Sequence, residues 1–176
     1  MNTFRNRIFT ACFVMTLLLS AVTAGATECK LDGTFKLPAE AGRGVAAAFI
    51  GTSSDAIIIA GGSDFPEAFP WEGGKKKYYD SIWLIRKTSD GYGCVKVADA
   101  KLPQALAGGC ATSYGGSLYC FGGSDGVGLS KDVFRITVAG NSVKVEPVAQ
   151  LPEGFVPAAA AVYGGKIYVH GTSQGR

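Results

Sequence analysis

"LPQALAGGCATSYGGSLYCFGGSD", Leu102 to Asp125, carries the pattern on which the fold turns. A Leu-Pro start leads into small residues, a Gly-Gly pair at 115–116, an apolar run, and a second glycine pair before Ser-Asp. Glycine at both centres of a two-residue turn supplies the positive φ that a tight hairpin demands, so two short antiparallel strands are expected here. The order recurs upstream in "LPAEAGRGVAAAFIGTSSDAIIIAGGSD", Leu37 to Asp64, and downstream in "LPEGFVPAAAAVYGGKIYVHGTS", Leu151 to Ser173.

The segment after each of the first two hairpins repeats as well. "YYDSIWLIRK" and "SKDVFRITV" each set an aspartate, Asp80 or Asp132, before a strand-like run, and "GCVKVADAKLP" and "NSVKVEPVAQLP" each supply a fourth strand leading into the next Leu-Pro. One unit is therefore four short strands in roughly 50 residues, the size of a kelch-type propeller blade. The alanine runs at 46–48 and 158–161 could seed helix, but each ends at a turn followed by an apolar strand-like run, which favours strand. The expected fold class is all-β: a kelch-type β-propeller with about two and a half four-stranded blades present of six. Residues 39–101 and 102–150 form blades, 151–176 a half blade, and 27–38 the outer strand of a closing blade. On this count the chain is expected to be an N-terminal fragment of a longer protein, with self-association through open blade edges as a further possibility.

Residues 1–26 stand apart. Arg5 and Arg7 precede an uncharged apolar run, and Ala24-Gly25-Ala26 offers a small-residue cleavage site. This is the pattern of a signal peptide, and it points to a periplasmic or secreted product with no membrane attachment after cleavage. Without its two arginines the formal net charge falls from +3 to about +1, so no basic stripe for nucleic acid remains. Of Cys29, Cys94, Cys110 and Cys120, the last two lie on one hairpin, yet a turn at 115–116 sets them one residue out of register on opposite faces. They form a disulfide or remain buried thiols. His170, in a second-strand glycine position, is the only histidine. A zinc or copper site built from histidines is excluded, and no cofactor is expected.

The first unit exceeds the second because of the connection "GGSDFPEAFPWEGGKKKYYDS", residues 61–81, with two prolines, three consecutive lysines and several aromatics. It leaves the second strand at the same end as Arg43 before the first strand. Loops on that face of a rigid scaffold are where function is carried. Trp71 is either a sugar-stacking platform or, with Phe65, Phe69 and Tyr79, a pin for the loop. The lysines are a solvated face or an anion site. Asp80 and Asp132 read as strand-start residues, and Asp64 and Asp125, each after Gly-Gly-Ser, as turn residues or ligand acceptors.

"GVAAAFIGTSSDAIIIAGGSDFPEAFPWEGGKKKYYDSIWLI" resembles the N-acetylneuraminate epimerases, or sialic-acid mutarotases, in their cyclically permuted subgroup. The most specific part is Glu72-Gly73-x-Lys75-Lys76-x-Tyr78. The resemblance implies a secreted or periplasmic six-bladed kelch propeller, an isomerase that interconverts the α and β anomers of a sugar acid. Under it, Arg43, Lys75 and Lys76 would bind the substrate carboxylate. Glu72, Tyr78 and Asp64 would bind hydroxyls or assist proton transfer. The family's catalytic Glu and Arg segment has no counterpart up to Arg176, so the catalytic residues are not assigned and this chain alone is expected to be inactive. The alternative function is a non-catalytic secreted kelch-repeat module that binds carbohydrate or protein.

Overall fold

A computed structural model describes residues 37–154 and 156–172. The expected leader at 1–26, most of the expected closing strand at 27–38, Cys29, Ser173 and Arg176 lie outside the described residues. Twelve strands make up the described chain: β1 (Phe49–Ser53), β2 (Ala56–Ala60), β3 (Ser63–Asp64), β4 (Lys77–Tyr78), β5 (Ser81–Thr88), β6 (Gly91–Lys101), β7 (Cys110–Tyr114), β8 (Ser117–Phe121), β9 (Asp132–Ala139), β10 (Ser142–Gln150), β11 (Val156–Tyr163) and β12 (Lys166–Thr172). Helix is confined, among these residues, to two single 3-10 turns at Ala39–Ala41 and Pro70–Glu72.

The strands form two four-stranded antiparallel blades in the order β1-β2-β5-β6 and β7-β8-β9-β10, followed by the hairpin β11-β12. This is the kelch-type all-β architecture expected from the repeat. The alanine run at 158–161 lies within β11, as strand, whereas the run at 46–48 precedes β1 and only Ala46 forms a bridge, to Ser63, because Ala47 turns with φ +55°. In blade 1 the connection between β2 and β5 carries the small hairpin β3-β4, pairing Ser63 with Tyr78 and Asp64 with Lys77.

The repeat is written in backbone hydrogen bonds. Gly61 N donates to Ser81 O in blade 1, and Gly122 N to Asp132 O in blade 2. Tyr79 N to Gly62 O matches Ser130 N to Gly123 O, and the paired bridge Ala46–Ser63 matches Ala107–Ser124. Gly61 has φ +67°, and a Cβ there would lie 2.5 Å from Leu106 O, so the glycine pair marks where one blade's end meets the entry to the next. Close approach also sets Gly109, whose Cβ would fall 2.3 Å from the Phe49 ring.

Each blade buries a face against its neighbour. Phe49, Ile58, Ile82 and Leu84 of blade 1 pack on Leu118, Cys120, Phe134 and Ile136 of blade 2, with Phe49 and Phe134 edge to face at 5.3 Å. The other face of blade 2 places Cys110, Phe121 and Val133 against Ile167 and Val169 of the hairpin. Cys110 pairs with Phe121 and Cys120 with Ala111, so the two thiols face opposite cores. Cys94, Cys110 and Cys120 are free thiols.

His170 corrects one expectation. Counted from the turn at 164–165, it pairs with Ala159 and occupies the place of Phe121, not of a glycine. It is exposed. Gly171 takes the first glycine position.

Candidate functional site

The segment entering β1 and the β3-β4 hairpin build the site together. Ala46 bonds Ser63 through both backbone groups, which sets Arg43, three residues earlier, beside Asp64. Arg43, Asp64, Phe69 and Lys76 then line one cleft of about 450 Å³. Ala47 and Lys76 also border a smaller cleft of about 170 Å³, closed by Tyr78, Ser124 and Leu129 at the seam with blade 2. Arg43 and Asp64 reach a third of about 240 Å³, with Glu40, Tyr79, Trp83 and Lys96. Arg43 and Asp64 thus form the ridge between two hollows.

The long loop is built, not loose. Phe69 and Trp71 stack at 4.6 Å with planes 8° apart, and the Arg43 guanidinium lies 4.7 Å over the Phe69 ring. The Lys76 ammonium stands 5.1 Å over the Tyr78 ring. Such contacts hold a cation without neutralising it. No carboxylate among the described residues pairs with Arg43 or Lys76 in a salt bridge, so neither charge is cancelled from within the described cleft.

The sequence-selected residues divide accordingly. Arg43, Asp64, Lys76 and Tyr78 come together around the two adjoining clefts. Glu72 is spent on the loop: its Oε2 accepts the Phe69 amide at 3.0 Å and ties off the 3-10 turn. Lys75 is exposed on the loop. Trp71 pins the loop through Phe69 and is itself 77% exposed.

The two Ser-Asp repeats differ. Asp125 Oδ1 accepts the Val127 and Gly128 amides, each at 2.8 Å, and Oδ2 accepts Gln104 Nε2 at 2.8 Å. These amides, Gly128 first, hold its carboxyl below the usual range. Asp125 is a turn residue. Asp64 instead accepts the Tyr79 hydroxyl on Oδ1 at 2.7 Å. Burial first, then the bond and charge of Asp64, push the Tyr79 phenol up to about 12. Asp80 pairs with Lys101 at 3.3 Å, and Asp132 accepts Gln150 Nε2 at 3.3 Å, both at strand starts. Tyr79, expected only to pin the loop, is a site residue in its own right, because the β3-β4 pairing brings its hydroxyl back to Asp64. Among the described residues, no group of three or more His, Cys, Asp and Glu is placed to hold a metal ion.

No family model matches the chain. The N-acetylneuraminate epimerase of Brucella suis is 34% identical over 113 residues, covering 58% of this chain and 28% of that protein. The enzyme of the same name from Brucella melitensis biotype 1 gives the same figures. The likeness is to the N-acetylneuraminate epimerases. The solved structure of YjhT is 31% identical, with 58% of this chain and 31% of that chain covered and a TM-score of 0.49. The chain spans little more than a quarter of the length of the epimerases it matches.

Proposed function

We propose that this chain carries the sugar-acid-binding face of an N-acetylneuraminate mutarotase. The observation behind the reading is the convergence of two cations, Arg43 and Lys76, on one cleft whose described lining includes one carboxylate, Asp64. A ring-shaped monoanion bearing hydroxyls fits that set: the cations take its carboxylate, and the net charge of the cleft becomes balanced. The 34% identity to two proteins named N-acetylneuraminate epimerase supports the choice of sugar acid. Mutarotation opens and recloses the ring at the anomeric carbon, with one group taking a proton from the anomeric hydroxyl and another giving one to the ring oxygen. Tyr78, at the neighbouring cleft, supplies a hydroxyl that can serve such transfers. The leader-like pattern of residues 1–26 supports a periplasmic or secreted location for this activity.

A second reading, binding without turnover, is favoured by Glu72. Its carboxylate is engaged by the loop backbone, which leaves Asp64 as the carboxylate at the larger cleft. Two NMR measurements separate the readings. Titration with N-acetylneuraminate is expected to move the amides of residues 43–47 and 63–65; no shift at tens of millimolar ligand contradicts both. This chain alone is expected to bind N-acetylneuraminate without speeding the conversion of freshly released α anomer to β, and acceleration lost in Arg43→Ala would make it a mutarotase by itself; a neutral hexose bound as tightly as the sugar acid supports the module.

A further inference from the structure

Tyr79 and Asp64 form a device that blade 2 does not share. Ser63-Asp64 and Ser124-Asp125 hold equivalent repeat positions, since Ser63 bridges Ala46 as Ser124 bridges Ala107. Asp125 spends both carboxylate oxygens inside blade 2, on two loop amides and Gln104. In blade 1 the chain leaves the β3-β4 hairpin differently, and no backbone amide among the described residues turns toward the Asp64 side chain. One carboxylate oxygen accepts Tyr79, and Asp64 lines the cleft.

Tyr79 is held at the backbone on both sides. Its amide donates to Gly62 O at 3.0 Å, and its carbonyl accepts the Leu106 amide at 3.2 Å. The phenol therefore extends from a fixed backbone, with the Lys77 ammonium 5.3 Å over its ring and its hydroxyl on Asp64. The equivalent residue in blade 2 is Ser130, whose amide donates to Gly123 O in the same way but whose side chain is too short for that reach. The phenol is raised to about 12 and stays protonated at neutral pH, and its O–H donates to the Asp64 carboxylate at 2.7 Å. An ionised carboxylate accepts and never donates. With one bond to Tyr79, the Asp64 carboxylate keeps acceptor capacity in the cleft it lines with Arg43 and Lys76.

We infer that Asp64, oriented by Tyr79, accepts a hydrogen bond from a ligand hydroxyl, so that the cleft selects hydroxylated carboxylates over plain ones. This rests on the sugar-acid reading of the cleft and adds its selectivity rule. Tyr79 is a positioning residue, since it acts through Asp64. A second negative charge near a carboxylate ligand repels it unless a ligand hydroxyl bridges the two, which is what gives Asp64 discriminating power.

The test uses two probes: N-acetylneuraminate, and cyclohexanecarboxylate as a six-membered-ring carboxylate without hydroxyls. Tyr79→Phe keeps the ring and removes only the hydroxyl. It is expected to weaken N-acetylneuraminate binding about 3- to 10-fold, the worth of one oriented hydrogen bond, and to leave cyclohexanecarboxylate unchanged. Equal weakening of both probes, no change in either, or wild-type binding of cyclohexanecarboxylate as tight as that of the sugar acid overturns the inference. Ultraviolet titration gives an independent readout. The wild type is expected to show a phenol titrating near 12 that is missing in Tyr79→Phe and titrates lower in Asp64→Asn. A phenol that stays in place in Asp64→Asn refutes the coupling of the two residues. Wild-type protein that binds neither probe refutes the sugar-acid reading and the selectivity with it, whereas the titration still reports on the Tyr79–Asp64 bond by itself.

Discussion

Ser53 and Val138 join the two blades across their seam: the buried Ser53 hydroxyl accepts the Val138 amide at 2.9 Å and donates to Gly116 O at 2.6 Å. One hydroxyl thereby satisfies an amide and a carbonyl of the neighbouring blade. Ser53→Ala leaves the amide without its partner in a site that is 1% exposed. The expected loss is about 1–3 kcal/mol of unfolding free energy, measured by urea denaturation. An unchanged midpoint would mean that the seam is not closed in solution.

Two adjacent glycines separate crowding from backbone conformation. A Cβ at Gly109 meets the Phe49 ring at 2.3 Å, whereas Gly108 has open space but φ +72°. Gly109→Ala is expected to cost about 1–3 kcal/mol through overpacking. Gly108→Ala is expected to cost about 1–2 kcal/mol through left-handed strain alone. Adding Phe49→Leu should recover part of the first loss and none of the second, as double-mutant denaturation would show.

The Glu72 carboxylate is assigned to the loop, not to the ligand. Glu72→Ala is expected to speed amide exchange at Phe69 about fivefold, as loss of roughly 1 kcal/mol of capping implies. Any fall in ligand affinity should then be smaller than that of Arg43→Ala. A larger fall would place Glu72 in direct contact with the sugar.

Tyr79 predicts an alkaline limit. Its phenol titrates near 10.0 when unfolded and near 12 when folded, so the unfolded chain releases the proton first. The stabilisation is complete below pH 10 and is lost as pH rises from about 10 to about 12. The stability difference between wild type and Tyr79→Phe should therefore shrink across that interval. A constant difference would contradict the raised value.

How much the sequence reveals depends on how local each signal is. The blades are legible because Gly115-Gly116 and the Gly-Gly-Ser-Asp ends are short-range, and the latter carry the same hydrogen bonds in both units. The separation of Cys110 from Cys120 comes from strand parity alone. Arg43 and Asp64 are legible together because the antiparallel β1-β2 pair brings their segments to one end. The roles of Asp64 and Asp125 are not, since identical tetrapeptides lead into loops of different length and find different donors. The bond from Tyr79 to Asp64 escapes notice for a related reason: the partners are 15 residues apart, and only the register of β3 on β4 links them. His170 is misplaced by sequence alone because "VHGTS" offers one glycine where the other units have two, and only the turn at 164–165 fixes the count.

The charged cleft predicts a graded mutational response. Arg43→Ala removes a charge-assisted contact and is expected to weaken N-acetylneuraminate about 10- to 100-fold, with Lys76→Ala similar or smaller. Raising salt should weaken binding in the wild type more than in either variant, because these exposed charges are screened.

The most direct measurement is a crystal structure of the chain with N-acetylneuraminate bound. The account predicts the ligand carboxylate within hydrogen-bond distance of Arg43 or Lys76, and a ring hydroxyl on Asp64. A ligand seated elsewhere, or in this cleft with its carboxylate turned away from both cations, would contradict it.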